Sequence, residues 1–260
     1  MNKDKLKAFL EGLYYVYSRR ELVYPDPLYF LYRYNDLRDR EIAGMIASGL
    51  AYGRVAQIMK SVDRVLSCLG ERPYIFLKDN KYLPVIPEKF KHRFTTSYDM
   101  NNLLYNITHI IREYNSIEGF LAECLRRSDG KMFRALDEFA VKLSQGNKPG
   151  AFPLVSAPKD GSACKRLFLF LRWMVRCDDV DPGGWEIFRP SQLLVPMDTH
   201  MMDIALRLAL TARRGGNFDT SLEVTQSFSE LSPNDPVKYD FTLSRFGIRT
   251  LNAEYITVKS

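Results

Sequence analysis

The chain has 260 residues, 46% of them hydrophobic, enough for one large domain or two small helical lobes with a buried core. Lys and Arg number 37 against 31 Asp and Glu; the net charge of +6 permits a polyanionic partner without requiring one. No apolar run approaches the ~20 residues of a membrane span, and Met1 to Lys5 lack the apolar core of a signal peptide. The expectation is a cytoplasmic protein with no membrane partner.

The first periodic segment sets Leu6, Phe9, Leu10, Leu13, Tyr14 and Tyr17 at helical spacing. Asp26-Pro27 pairs a helix N-cap with a proline at the first helical position. Asp39 to Ala51 predicts a helix with Ile42, Met45, Ile46 and Leu50 on one face, then a short turn, Ala51-Tyr52-Gly53-Arg54. Val55 to Leu66 is the next helix. Residues 80–97, with Pro84 and Pro87, predict a long basic loop containing Lys89, Lys91, His92 and Arg93. Three more helices follow around Leu103 to Ile111, Phe120 to Leu125 and Phe133 to Leu143. His109, on the first of them, reads as a core histidine.

Residues 145–163 are rich in Gly and Pro and predict a linker or hairpin. Leu167 to Val175 is apolar on all sides, a helix buried all round. Residues 178–197 are irregular. Asp178, Asp179 and Asp181 read as a solvated turn, since their spacing matches no calcium-binding loop. Trp185 stands in this loop beside Gly183-Gly184, either a core residue or a ring open to stack on a base. Thr220 to Glu223 predicts a capping box opening a helix. Asp235-Pro236 predicts the start of the last helix, with Gly247 closing it. No stretch alternates like a strand, so the fold class is all-α. The single domain divides into two lobes, 37–150 and 1–36 plus 151–260. Cys68, Cys124, Cys164 and Cys177 form no C-x-x-C pair, which argues against a zinc or iron–sulfur site. No metal and no cofactor is expected.

Two positions carry candidate chemistry. Lys165 starts the apolar helix, where the positive helix end disfavours an ammonium. It is either a solvated lysine or an amine that burial keeps neutral and nucleophilic. Asp198 starts another helix, after the extended strap Val195-Pro196-Met197. It is either a cap accepting the Met201 N–H or a carboxylate facing the amine, able to take a proton or stabilise a developing cation. The two roles are compatible. His200 lies in that helix's first turn, where phosphates bind readily.

The order hairpin, helix-starting lysine, apolar helix, strap and Val-Pro-x-Asp helix resembles the helix-hairpin-helix DNA glycosylase superfamily. Val195-Pro196-Met197-Asp198-Thr199-His200-Met201 is similar to that family's Val-Pro-Val-Asp-Thr-His-Val signature. The Lys165-to-Asp198 interval is similar to that of the archaeal 8-oxoguanine glycosylase branch. The whole chain also resembles an uncharacterised bacterial family of about this length. Ser156 to Ser162 stands where the superfamily has Leu-Pro-Gly-Val-Gly.

The resemblance implies a two-lobed helical bundle with a cleft between its lobes. It implies a base-excision N-glycosylase with AP-lyase activity on a damaged purine, 8-oxoguanine foremost. The partner would be double-stranded DNA with a damaged base, met by a monomer. Lys165 would be the Schiff-base nucleophile and Asp198 the carboxylate assisting base loss. Lys159, Gly161, Ser162 and Ala163 would form the phosphate-gripping hairpin, and His200 would touch a phosphate. Leu50 or Tyr52 would fill the gap left by the flipped base, with Arg54 beside them on the DNA. The alternatives are a catalytically inactive nucleic-acid-binding protein of the same fold, and a helical scaffold with no nucleic-acid role.

Overall fold

The computed structural model describes residues 2–80 and 85–250. Pro84, in the expected 80–97 loop, lies outside them. The chain is mostly helical, as its periodicity predicts. In chain order the helices are α1 (Lys3–Tyr17), α2 (Leu37–Gly49), α3 (Val55–Leu69), α4 (Pro73–Asp79), α5 (Ser97–Tyr114), α6 (Ile117–Arg127), α7 (Met132–Leu143), α8 (Lys165–Val175), α9 (Thr199–Arg207), α10 (Phe218–Ser229) and α11 (Asp240–Thr250). The expected 80–97 loop contains a small antiparallel hairpin of β1 (Lys91–His92) and β2 (Thr95–Thr96). Two residues per strand are too few for an alternating pattern to be read.

The chain forms two compact units. One holds Met1–Leu22 with Gly161–Ser260, the other Val23–Asp160. These boundaries differ from the expected 36/37 and 150/151, for reasons of packing. The 3₁₀ segment Pro27–Arg33, started by the predicted Asp26 cap, buries Leu28, Phe30 and Leu31 and packs on α2 and α3. Residues 151–160 are likewise tied to the second unit. Leu154 meets Gly49 so closely that a β-carbon there would sit 3.7 Å from it. Ser144 Oγ donates to the Val155 carbonyl (3.1 Å), and the Lys159 N–H to Asp137 (2.8 Å).

In the Val23–Asp160 unit, α2 is the central helix. Ile42, Met45 and Ile46 are fully buried, each such side chain contributing about 1.5–3 kcal/mol. Its buried acids serve neighbouring helix starts. Asp39 accepts the Tyr74 N–H at the start of α4 (2.7 Å), and Glu41 accepts the Ile117 N–H at the start of α6 (2.9 Å). His109 is exposed against Tyr105 rather than buried. The core histidine is His92, bonded to Ser61 Oγ and the Tyr52 carbonyl.

In the Met1–Leu22 and Gly161–Ser260 unit, α11 packs on α1 and α9. Three boundaries there differ from expectation. Asn217, not Thr220, caps α10 by accepting the Thr220 N–H (3.0 Å). Residues 235–239 are turns, and α11 starts at Asp240. Gly247 lies inside α11, where a β-carbon would sit 3.4 Å from Ile204 of α9. That glycine therefore lies within the helix, against α9, and is not a helix stop. Trp185 is buried edge-on against Phe170, with ring centres 5.0 Å apart. Its backbone N–H donates to the Met174 carbonyl at the end of α8 (2.8 Å), and with its ring buried it is a core residue and not a free stacking surface.

Candidate active site

Lys165 is the first residue of α8. The helix starts abruptly because Cys164 adopts left-handed backbone geometry, φ 47°, an uncommon conformation for a residue with a side chain. No side chain caps this helix start. Behind Lys165, Phe168, Phe170, Leu171, Trp173 and Met174 are buried and fix the helix in place.

Asp198 is placed by the strap. Pro196 excludes helix before it, and Leu193, Leu194, Val195 and Met197 are buried. Val195 is pinned to α10 at both ends of its peptide. Its N–H donates to Thr225 Oγ1 (2.9 Å), and its carbonyl accepts from Ser221 Oγ (2.7 Å). The chain then turns into α9 at Asp198, whose Oδ1 accepts the Met201 N–H (2.8 Å), as the capping expectation had it.

The second carboxylate oxygen meets the lysine. Lys165 Nζ lies 3.0 Å from Asp198 Oδ2, with the two side chains 32% and 28% exposed. One carboxyl group thus caps a helix with one oxygen and holds an amine with the other. Burial on its own would raise the Asp198 pKa. The Lys165 charge, the Met201 N–H and nearby His200 outweigh it and hold the carboxyl below its ordinary value, so it is ionised at neutral pH. Lys165 is neither fully solvated nor sealed: a third of its side chain is exposed, and its amine meets a carboxylate.

The other expected site residues separate into two groups. Gly161, Ser162, Ala163 and His200 share the unit of Lys165 and Asp198. Gly161 turns the chain at φ 71°, and its carbonyl accepts the Phe218 N–H (3.2 Å). Ser162 forms a β-bridge with Asn217, and Ala163 is buried. His200 is exposed in the first turn of α9. Lys159, exposed in the middle of the 3₁₀ turn Pro158–Asp160, belongs to the other unit, as do Leu50, Tyr52 and Arg54. Leu50 has no exposed surface and offers nothing to insert into a duplex. Tyr52 is half-buried, its hydroxyl bonded to the His92 carbonyl and Thr95. Arg54 is exposed at the start of α3.

Within the Asp-rich segment Asp179 is exposed, as a solvated turn would have it, but its neighbours are not. Asp181 is fully buried between Arg172 and Arg176. Arg172 also pairs with buried Asp240, while Arg176 pairs with Asp178 and Asp235. Asp178 further accepts the Tyr14 hydroxyl (2.8 Å). Two guanidiniums thus face four carboxylates. Desolvation, with Asp198 and Asp181 as like charges, pushes Asp240 up to about 6 against the pull of Arg172. The signal available in the sequence was two arginines four positions apart on an otherwise apolar helix, followed directly by the aspartates. Among the described residues no His, Cys, Asp or Glu group is arranged to hold a metal ion, and no helix is long and apolar enough to cross a membrane.

Comparison with the curated proteins and with the solved structures returned no match. Residues 26–249 match a family model described as a protein of unknown function, DUF2400, and the chain belongs to that family.

Proposed function

We propose that this protein is a DNA base-excision N-glycosylase with AP-lyase activity on a damaged purine, 8-oxoguanine foremost, built as a two-lobed bundle of the helix-hairpin-helix glycosylase type. The observation that carries the reading is the 3.0 Å approach of Lys165 Nζ to Asp198 Oδ2 at the starts of two helices, with both groups open to solvent. Stability gives weak reason for this pair. Partly exposed ion pairs contribute about 0–1 kcal/mol, and the cap on α9 needs only Oδ1. A carboxylate held ionised against a reachable amine is what imine chemistry at a sugar requires.

In this reading Asp198 takes a proton from the Lys165 ammonium. The freed lone pair forms a bond to C1′, and the glycosidic bond breaks with its electrons leaving on the base, which is protonated as it departs. Opening of the sugar ring gives an iminium. Loss of a C2′ proton then expels the 3′ phosphate and nicks the strand. Water finally releases the lysine. The substrate is duplex DNA with the damaged base flipped out, at a cost of a few kcal/mol, and the working form is a cytoplasmic monomer. His200 and the backbone N–H groups around Gly161 to Ala163 face the phosphates.

Borohydride tests this directly, because it reduces the imine to a stable amine. The wild-type chain should be trapped on duplexes containing 8-oxoguanine or an abasic site, and Lys165→Gln should bind the same duplexes without being trapped. Absence of any trapped wild-type complex, or trapping of Lys165→Gln, overturns the proposal.

A further inference from the structure

The β1–β2 hairpin pairs Lys91 with Thr96 and His92 with Thr95, leaving Arg93 and Phe94 as a two-residue tip. Phe94 is 63% exposed, yet it is not an isolated apolar residue. Its ring lies 5.6 Å from that of Phe152, which lies 4.7 Å from Tyr52, which in turn meets buried His92 at 4.8 Å. The inner end of this aromatic row is rigid. The Tyr52 hydroxyl is bonded to the His92 carbonyl and Thr95, and His92 is held by Ser61 and the Tyr52 carbonyl. The outer end is open.

Arg93 adjoins that open end, and two further cations lie on the same hairpin and the neighbouring turn. The Arg93 guanidinium lies 5.5 Å from the centre of the Phe94 ring, and Lys91 and Arg54 are exposed. A β-carbon at Gly53 would sit 2.6 Å from the Arg93 side chain, so the Gly53-Arg54 turn lies directly against the hairpin tip. Arg54 opens α3, whose first turn has no side-chain cap, leaving backbone N–H groups for an anion. Among the described residues, no ion pair engages Arg54, Lys91 or Arg93.

We propose that this surface binds an unpaired nucleobase, stacked on Phe94, with the flanking phosphates held by Arg93, Arg54 and Lys91. A stacking face set among unneutralised cations matches a nucleic-acid strand, which presents flat bases at regular intervals along a polyanion. An apolar peptide would leave the cations unanswered, and a bare polyanion would leave the aromatic row unused. The site goes beyond the reading of Lys165 and Asp198, since stacking needs neither.

The test is a titration of the full chain with a single strand carrying one 2-aminopurine, in deoxy and ribo forms, beside a base-free strand of equal length. Binding should quench the 2-aminopurine emission. Phe94→Ala and Phe94→Leu should each weaken binding roughly tenfold, and Phe94→Trp should restore it. Quenching of either sugar form supports the base as the recognised group. The proposal fails if the base-free strand binds as tightly as the base-bearing one, if the Ala and Leu variants titrate like wild type, or if no strand binds. Phe94 is exposed, so these variants keep the fold. Borohydride trapping at Lys165 and 2-aminopurine quenching at Phe94 are different readouts, so failure here and failure of the glycosylase reading are separate results.

Discussion

Two ion-paired clusters in the same unit show what burial does to one kind of chemistry. Lys165–Asp198 and Arg172–Arg176–Asp181–Asp240 are both made of cations and carboxylates on or beside α8. The first is about 30% exposed, a single ion pair whose carboxylate also caps a helix. The second is dry, branched and charge-imbalanced. A partly solvated pair can separate at little cost, so its amine can be reached and its proton moved. A desolvated network cannot separate without stranding a charge. The residue types also match the two tasks. Lysine is a compact ammonium that can give up its proton, whereas arginine keeps its charge and forks between two carboxylates.

The comparison breaks most decisively at Lys165. Lys165→Gln is expected to abolish borohydride trapping while leaving thermal stability within about 1 kcal/mol of wild type, since an exposed pair contributes little. A large loss of stability would move Lys165 into the structural class. Arg172→Ala should do the reverse, costing about 3–5 kcal/mol in denaturant unfolding by leaving Asp240 buried without its cation and Asp181 with Arg176 alone. A loss below 1 kcal/mol would show that the network is not structural. Asp198→Asn separates cap from chemistry, because asparagine caps as well as aspartate. It should leave the melting temperature nearly unchanged and slow base excision about a hundredfold, within the range for a lost proton-transfer group. Unchanged excision would reduce Asp198 to a helix cap.

The smallest effect is a pH slope. Asp240, raised to about 6, binds a proton in the folded chain that the unfolded chain releases near pH 4. Its ionisation therefore costs stability as pH rises from about 4 through 6. Asp240→Asn should gain on wild type across that window, on the order of 2 kcal/mol, as read from paired melts at pH 4 and 7. Asp198 has the opposite sign. Its lowered pKa contributes stability above the usual carboxylate range that is lost as pH falls through the folded value. A flat difference between the Asp240 variant and wild type would show that Arg172 fully offsets the burial.

The helices were legible because their apolar faces recur over several turns, and that signal needs no knowledge of a partner. The Asp198 cap was legible because capping is local: the carboxyl and the Met201 N–H it accepts are three positions apart. Failures arose wherever a residue's role depends on something far along the chain. Gly247 looks like a helix stop until Ile204 is set against it. Leu50 ends an apolar face beside a turn, and only packing decides that it is sealed in the core. Trp185 sits in a Gly-Gly loop, and only Phe170 and the end of α8 bury it. Phe94 was passed over inside a basic loop because two-residue strands carry no period.

By itself the sequence determined the helical class, most helix positions, the Asp198 cap and the short list containing Lys165 and Asp198, because periodicity and capping act within a few residues. Only the tertiary structure decided that these two side chains meet at 3.0 Å, that Asp181 is buried between Arg172 and Arg176, and that Phe94 rather than Leu50 stands in the open. Those outcomes depend on which distant surfaces pack together. Burial is a property of that packing, and it sets whether a charge is exposed or sealed and whether a ring is core or surface.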